Sequence, residues 1–141
     1  MKAEQIIENA KLWKQFYQTD DPFVYANVLK IDVIFTENFG KKFKAQIVKM
    51  GQRTIIYINK AYDALSRKIL CAHEIAHYLF HSMEQINYYN NITKVEHARM
   101  EYEANLFALV LLLPDDEKYE TIWHLNGYLL REIIEANLAF E

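Results

Sequence analysis

Cysteine occurs once in this 141-residue chain, proline twice and glycine three times. The lone Cys71 rules out an internal disulfide framework and fits a reducing compartment. With so few chain breakers and 52% hydrophobic residues, a disordered or linker-rich chain is excluded and a compact, helix-rich domain is favoured. A strong charge bias is also missing. The net charge of −3 leaves no broad basic field for direct contact with nucleic acid. The one basic run, Lys41-Lys42-Phe43-Lys44, reads as a solvated strand or hairpin edge. The longest apolar run, residues 106–113, is far below the roughly 20 residues of a membrane span. The N-terminal stretch breaks its apolar positions with Glu, Asn and Lys, so no signal-peptide core is present. A cytoplasmic location is therefore expected, where the sequon Asn91-Ile92-Thr93 goes unused. No repeat or linker divides the chain, and residues 1–141 are read as a single domain.

What is present has helical texture at both ends. Ile6, Ala10, Trp13 and Tyr17 recur at helical spacing and predict a helix over about residues 2–17. Asp20-Asp21-Pro22 reads as a cap with Pro in the first turn of a short second helix ending near Leu29. Residues 31–36, 43–50 and 53–59 are β-branched and aromatic, with Gly51-Gln52 as a tight turn between the last two. A helix capped by Asp63 or Ser66 is expected to reach about His81. Residues 82–94 read mainly as loop, residues 95–113 as a helix stopped by Pro114, and residues 121–140 as one more helix, interrupted near Gly127. Helices and strands segregated in this way imply an α+β fold, a small three-stranded antiparallel sheet packed with about five helices.

Three of the five histidines fall in one apolar stretch, LCAHEIAHYLFH. His73-Glu74-Ile75-Ala76-His77 is an H-E-x-x-H pattern. Residues four apart on a helix differ by about 40° in direction and about 6 Å in height, so two imidazoles can converge on one zinc ion at about 2.0–2.1 Å. Glu74 leaves the same turn on its neighbouring flank. There it can handle the proton of an activated water but is poorly placed to be a ligand. If the two histidines were only core residues, each of them and Glu74 would need its own buried partner. His81, about 12 Å along the axis from His73, is too distant to share the ion and reads as a helix-end residue facing the dipole or the cleft rim. Cys71 projects from a roughly opposite side and reads as buried and inert.

The third ligand must come from another element. In the helix that follows, Glu103 shares an apolar stripe with Met100, Leu106, Phe107 and Val110, whereas Glu101 shares a more polar side with His97, Asn105 and Ala108. A carboxylate on a core-facing stripe is costly unless it binds a cation, which favours Glu103. Glu101 and His97 stand as alternatives. Pairing of Glu103 with Arg99 or Arg67 is disfavoured, because those arginines can use exposed acids.

With HEIAH, the following His81, and then EYEANLFALVLLLP, the chain resembles the ImmA/IrrE family of zinc metallopeptidases over about residues 30–114. The resemblance implies a minimal gluzincin-like domain, with zinc held by His73, His77 and Glu103 and with Glu74 as the catalytic acid/base. It further implies a role in cleaving or inactivating a helix-turn-helix repressor of phage or mobile-element type. The alternative is a metal-containing regulatory protein that sequesters such a repressor without cleaving it. Phe107, four residues beyond Glu103, leaves out the acid that orients a ligand in larger gluzincins; Glu101 or Asn105 can substitute for it. Tyr78, Tyr88, Tyr89, His97 and His124 are the candidate donors to the carbonyl oxygen under attack. The substrate strand is expected to add to the edge of the 53–59 strand.

Overall fold

The computed structural model describes residues 2–82, 92–112 and 126–141. The chain begins with helix α1 (Ala3–Tyr17), which buries Ile6, Ile7 and Ala10. Trp13 and Tyr17 continue the same face and meet Tyr25 ring to ring at 4.9 and 5.8 Å. Tyr25 belongs to α2 (Pro22–Val28), where the Asp21 side chain accepts the Phe23 N–H and Pro22 occupies the first turn. Pro costs nothing there because its missing N–H has no intrahelical partner.

Three strands follow: β1 (Asp32–Thr36), β2 (Ala45–Met50) and β3 (Arg53–Asn59). Gly51 opens the two-residue turn between β2 and β3 with φ +63. That conformation favours glycine at the first central position of a type II′ hairpin. The sheet order is β1-β3-β2. β2 pairs antiparallel with β3, as expected, but β1 pairs parallel to it, so the sheet is mixed rather than wholly antiparallel. β3 is therefore the central strand and has no open edge. Its Ile55, Ile56, Ile58 and Asn59 are buried, the near-continuous burial of a strand covered on both faces.

Helix α3 (Ala64–Phe80) starts at Asp63, whose carboxylate accepts the Ser66 N–H, and ends at His81. The C-terminal residues fasten its start: Asp63 N–H donates to the Ala139 carbonyl, Glu141 N–H to the Ala61 carbonyl, and Tyr62 stacks on Phe140 at 4.6 Å. Helix α4 (Lys94–Leu112) packs along α3 and α1 and buries Met100, Ala104, Leu106, Phe107, Val110 and Leu111. Pro114, the expected stop, lies outside the described residues, as does most of the expected 82–94 loop. Helix α5 (Gly127–Ala136), capped by Asn126, turns Leu130 and Ile134 into the core beside α4. It begins at Gly127, where an interruption was expected. The architecture is α+β, with β3 and the α3–α4 pair at its centre. No helix among the described residues is long and apolar enough to cross a membrane.

Candidate metal centre

His73 and His77 project from one face of α3, one turn apart, with ring centroids 4.7 Å apart and planes at 82°. Their Nε2 atoms lie 3.1 Å from each other. The carboxylate that meets them comes from α4 and is Glu101: Oε1 is 3.1 Å from His77 Nε2 and Oε2 is 3.3 Å from His73 Nε2. An ion with tetrahedral bonds of about 2.0–2.1 Å holds its ligand atoms about 3.3–3.4 Å apart. Each of these contacts is within a few tenths of an ångström of that spacing, the two imidazoles meeting different oxygens of Glu101, and one ligand atom from each residue can be chosen with all three inside 4.8 Å. Among the described residues, His73, His77 and Glu101 are the group that could hold a metal ion. Two nitrogens and one carboxylate oxygen, with the remaining side open to a cavity, suit a divalent ion that keeps a position for water or substrate.

Glu103, the residue favoured by its apolar stripe, is not brought to the histidines. It is buried as expected, 1% exposed, but on the core face of α4. There its Oε1 lies 3.1 Å from His81 Nε2 and 2.6 Å from Arg99 Nη1. The reason is helical phase. Two residues apart on an α-helix is about 200°, so Glu101 and Glu103 cannot face one site. Of the two arginines judged unavailable to Glu103, Arg99 does pair with it, while Arg67 bonds Glu141 and the Tyr62 and Lys60 carbonyls. Asn105, four residues beyond Glu101, places Oδ1 2.8 Å from His73 Nδ1, which orients that ring. The E-x-x-x-N spacing in the sequence was the signal for this pairing.

His81 is the residue after α3 and is buried, 6% exposed, rather than at the cleft rim. Its Nδ1 lies 2.9 Å from His77 Nδ1. Glu74, 7% exposed, stands outside the triangle; its Oε2 accepts the backbone N–H of Ile47 on β2 at 3.1 Å. Cys71 is buried and free, its thiol pushed well up by burial.

The electrostatics follow from burial and close charges. Burial pushes the Glu74 carboxyl up to about 7, against the pull of His73. Burial pushes His77 down to about 4, though Glu101 opposes it. For His73, burial disfavours the charged form, but hydrogen bonding and attraction from Glu101 outweigh it and the ring is raised above its ordinary value. Burial disfavours the Glu101 carboxylate too, yet the two imidazoles hold it far below the usual carboxylate range.

One cavity of about 730 Å³ joins these groups. His73, Glu74, His77 and Glu101 face it, together with Phe43–Gln46 at the start of β2 and Tyr128, Ile134 and Leu138 at the C-terminal end. Of the expected donors to a carbonyl oxygen, His97 lines the cavity, and Tyr102 and Tyr128 join it unforeseen. Tyr78 is not among its walls, and Tyr88, Tyr89 and His124 lie outside the described residues.

A profile of the family described as IrrE N-terminal-like domain, peptidase M78, matches residues 26–139. Over 99 residues the chain is 29% identical to a Bacillus phage phi105 protein named uncharacterized immunity region protein 2, covering 70% of this chain and 62% of that one. Over 115 residues it is 24% identical to metallopeptidase ImmA of Bacillus subtilis (strain 168), covering 82% of this chain and 67% of ImmA. The chain thus spans about three fifths to two thirds of the length of these relatives. No solved structure matches it.

Proposed function

The chain belongs to the IrrE N-terminal-like, peptidase M78 family, and on that footing we propose that it is a cytoplasmic zinc-dependent endopeptidase acting on a helix-turn-helix repressor of phage or mobile-element type. The observation that carries the reading is the triangle of His73, His77 and Glu101 on a cavity that also receives Glu74. The repressor is suggested by the names of the relatives, one an immunity region protein and one a metallopeptidase.

A zinc ion bound by three protein ligands acidifies a water and polarises a carbonyl at its open position. The chain's own residues supply the rest. Asn105 and His81 hold the two imidazole rings in plane. Glu74 takes the proton of the attacking water as its oxygen bonds to the peptide carbonyl carbon, then delivers that proton to the departing amine as the C–N bond breaks. A carboxyl raised to about 7 is suited to both halves of that transfer near neutral pH. His97, Tyr102 and Tyr128 are the cavity-lining donors available to the carbonyl oxygen.

The substrate strand adds to β2, not to β3, which is enclosed on both sides. The Asn59 N–H bonds the Lys44 carbonyl. The alternation of an antiparallel ladder then turns the backbone groups of Ala45 and Ile47 away from β3 and beside the cavity, where the Ile47 N–H is held by Glu74 and Ala45 offers its own to the substrate. A role limited to sequestering a repressor leaves the buried Glu74 carboxylate without a purpose, since a structural metal has no need of it.

The test is incubation of the purified chain with repressors encoded beside it, with zinc or with chelator, read by intact mass. Zinc-dependent cleavage that Glu74→Gln abolishes without loss of metal is expected. Repressor inactivation in cells that survives Glu74→Gln refutes the peptidase reading.

A further inference from the structure

Resting on the metal site proposed above, we infer that buried His81 and Glu103, the latter held by the half-exposed Arg99, form a positioning relay that fixes the tautomer and ring plane of His77. The three residues come from the end of α3 and the core face of α4, and none of them touches the cavity. Arg99 Nη1 lies 2.6 Å and His81 Nε2 3.1 Å from the same Glu103 oxygen, and His81 Nδ1 lies 2.9 Å from His77 Nδ1. His77, His81 and Glu103 are 2%, 6% and 1% exposed, so water does not compete for the bonds among these three; Arg99 reaches Glu103 from the surface.

The polarity of the relay follows from its far end. The Glu103 oxygen that meets His81 already accepts from the Arg99 guanidinium, so His81 Nε2 supplies the hydrogen between them. A neutral His81 then presents a lone pair at Nδ1, and His77 must donate its Nδ1 hydrogen to it. That leaves the His77 Nε2 lone pair aimed into the triangle with His73 and Glu101. The opposite arrangement, with His81 donating from Nδ1, puts the remaining His77 proton on Nε2, inside the triangle and 3.1 Å from His73 Nε2. It closes the site to a cation. Only one direction of the chain is compatible with a metal, and the Glu103 oxygen held by Arg99 enforces it. The carboxylate that the apolar stripe singled out is thus tied to the metal centre through two imidazoles rather than as a ligand.

Zinc affinity, measured on the full chain by competition with a chromophoric chelator, reads the relay without reference to cleavage. His81→Ala is expected to weaken zinc binding by about 10- to 100-fold. His81→Asn, whose Oδ1 can accept from His77 Nδ1, restores most of that loss, and Glu103→Gln weakens binding by less than His81→Ala. Ile56→Val, a core change away from the site, leaves affinity within twofold. In the zinc-loaded wild-type chain, imidazole ¹⁵N–¹H spectra are expected to show hydrogen on His77 Nδ1 and His81 Nε2. Zinc affinity in His81→Ala within twofold of wild type, or hydrogen on His81 Nδ1 in the zinc form, overturns the inference and leaves the proposed peptidase standing. Should His81→Ala not fold, His81→Asn and the wild-type spectra decide it. A wild-type chain that binds no zinc removes the proposed function itself, and the relay with it.

Discussion

Replacing Glu74 by Gln should make the metal-free chain more stable above neutral pH while ending its activity. The carboxyl is 7% exposed and its pKa is pushed from 4.5 to about 7, chiefly by burial. An unfolded chain releases that proton near its ordinary value, so between about pH 4.5 and 7 the folded state binds more protons than the unfolded one. Stability then falls as pH rises through this window. At about 1.4 kcal/mol per pKa unit, the 2–3 unit displacement amounts to about 3 kcal/mol of destabilisation from Glu74, fully present above pH 7 and absent below pH 4.5. Glutamine keeps the shape and the carbonyl that accepts the Ile47 N–H but never ionises.

Urea unfolding in the presence of chelator, at pH 4.5 and pH 8, reads this contribution together with its coupling to His73 and Glu101. The variant is expected to gain about 2–3 kcal/mol at pH 8 and little at pH 4.5. A gain of that size at the residue proposed as the acid/base is the sign of a group held for function at the expense of stability. Equal stability of the two proteins at pH 8, or a difference that does not change with pH, refutes the account of Glu74 as a carboxylate strained by burial.

Exchange of the two α4 glutamates separates ligand from support. Glu101→Ala is expected to abolish stoichiometric zinc in elemental analysis while the chain stays folded. Glu103→Ala keeps the ligand triangle but strips two charge-assisted hydrogen bonds from the core, lowering stability by about 2–3 kcal/mol in denaturant unfolding. Zinc affinity should rise with pH and then level off, because a proton raised in affinity on His73 by Glu101 must leave before the ion enters. Chelator competition between pH 5.5 and 8 checks this, and a pH-independent affinity contradicts it. Ala45→Pro on the free edge of β2 removes one outward N–H, a change an edge strand tolerates. Peptide cleavage should fall tenfold or more with zinc content unchanged. Ile56→Ala, fully buried in the central strand, should cost about 2–5 kcal/mol of stability by thermal or urea unfolding.

Much of the fold was legible because its boundaries are set by local chemistry. Asp21 with Pro22, Asp63, and Gly51 each satisfy a backbone requirement within three residues of themselves, so the elements they open or join can be read from the chain. Strand order is a different kind of fact. The alternation in residues 43–50 and 53–59 identifies a hairpin but does not say where β1 will lie. The clue was the adjacent pair Ile55-Ile56, both buried, which a strand covered on one face alone does not show. β1 reaches the far side of β3 and pairs parallel to it, which leaves β1 and β2 as the edge strands.

The convergence of His73 and His77 was legible because both sit on one helix, where spacing alone determines geometry. Which carboxylate meets them depends on the rotation of α4 about its own axis. The rule applied to it, that a carboxylate on an apolar stripe marks the metal, confused two kinds of burial. A catalytic metal must stay open to water on one side, so its ligands belong where a helix meets a cavity, on the flank between core and solvent. Glu101, His97, Tyr102 and Asn105 occupy that flank of α4. A carboxylate buried more deeply than the centre itself cannot reach an open site and must be satisfied from within, as Glu103 is by His81 and Arg99. Its burial therefore points to the framework that holds a ligand in place. In a helix facing such a site, the ligand is to be sought about half a turn away from the most buried acid, at the position with a hydrogen-bonding residue four further on.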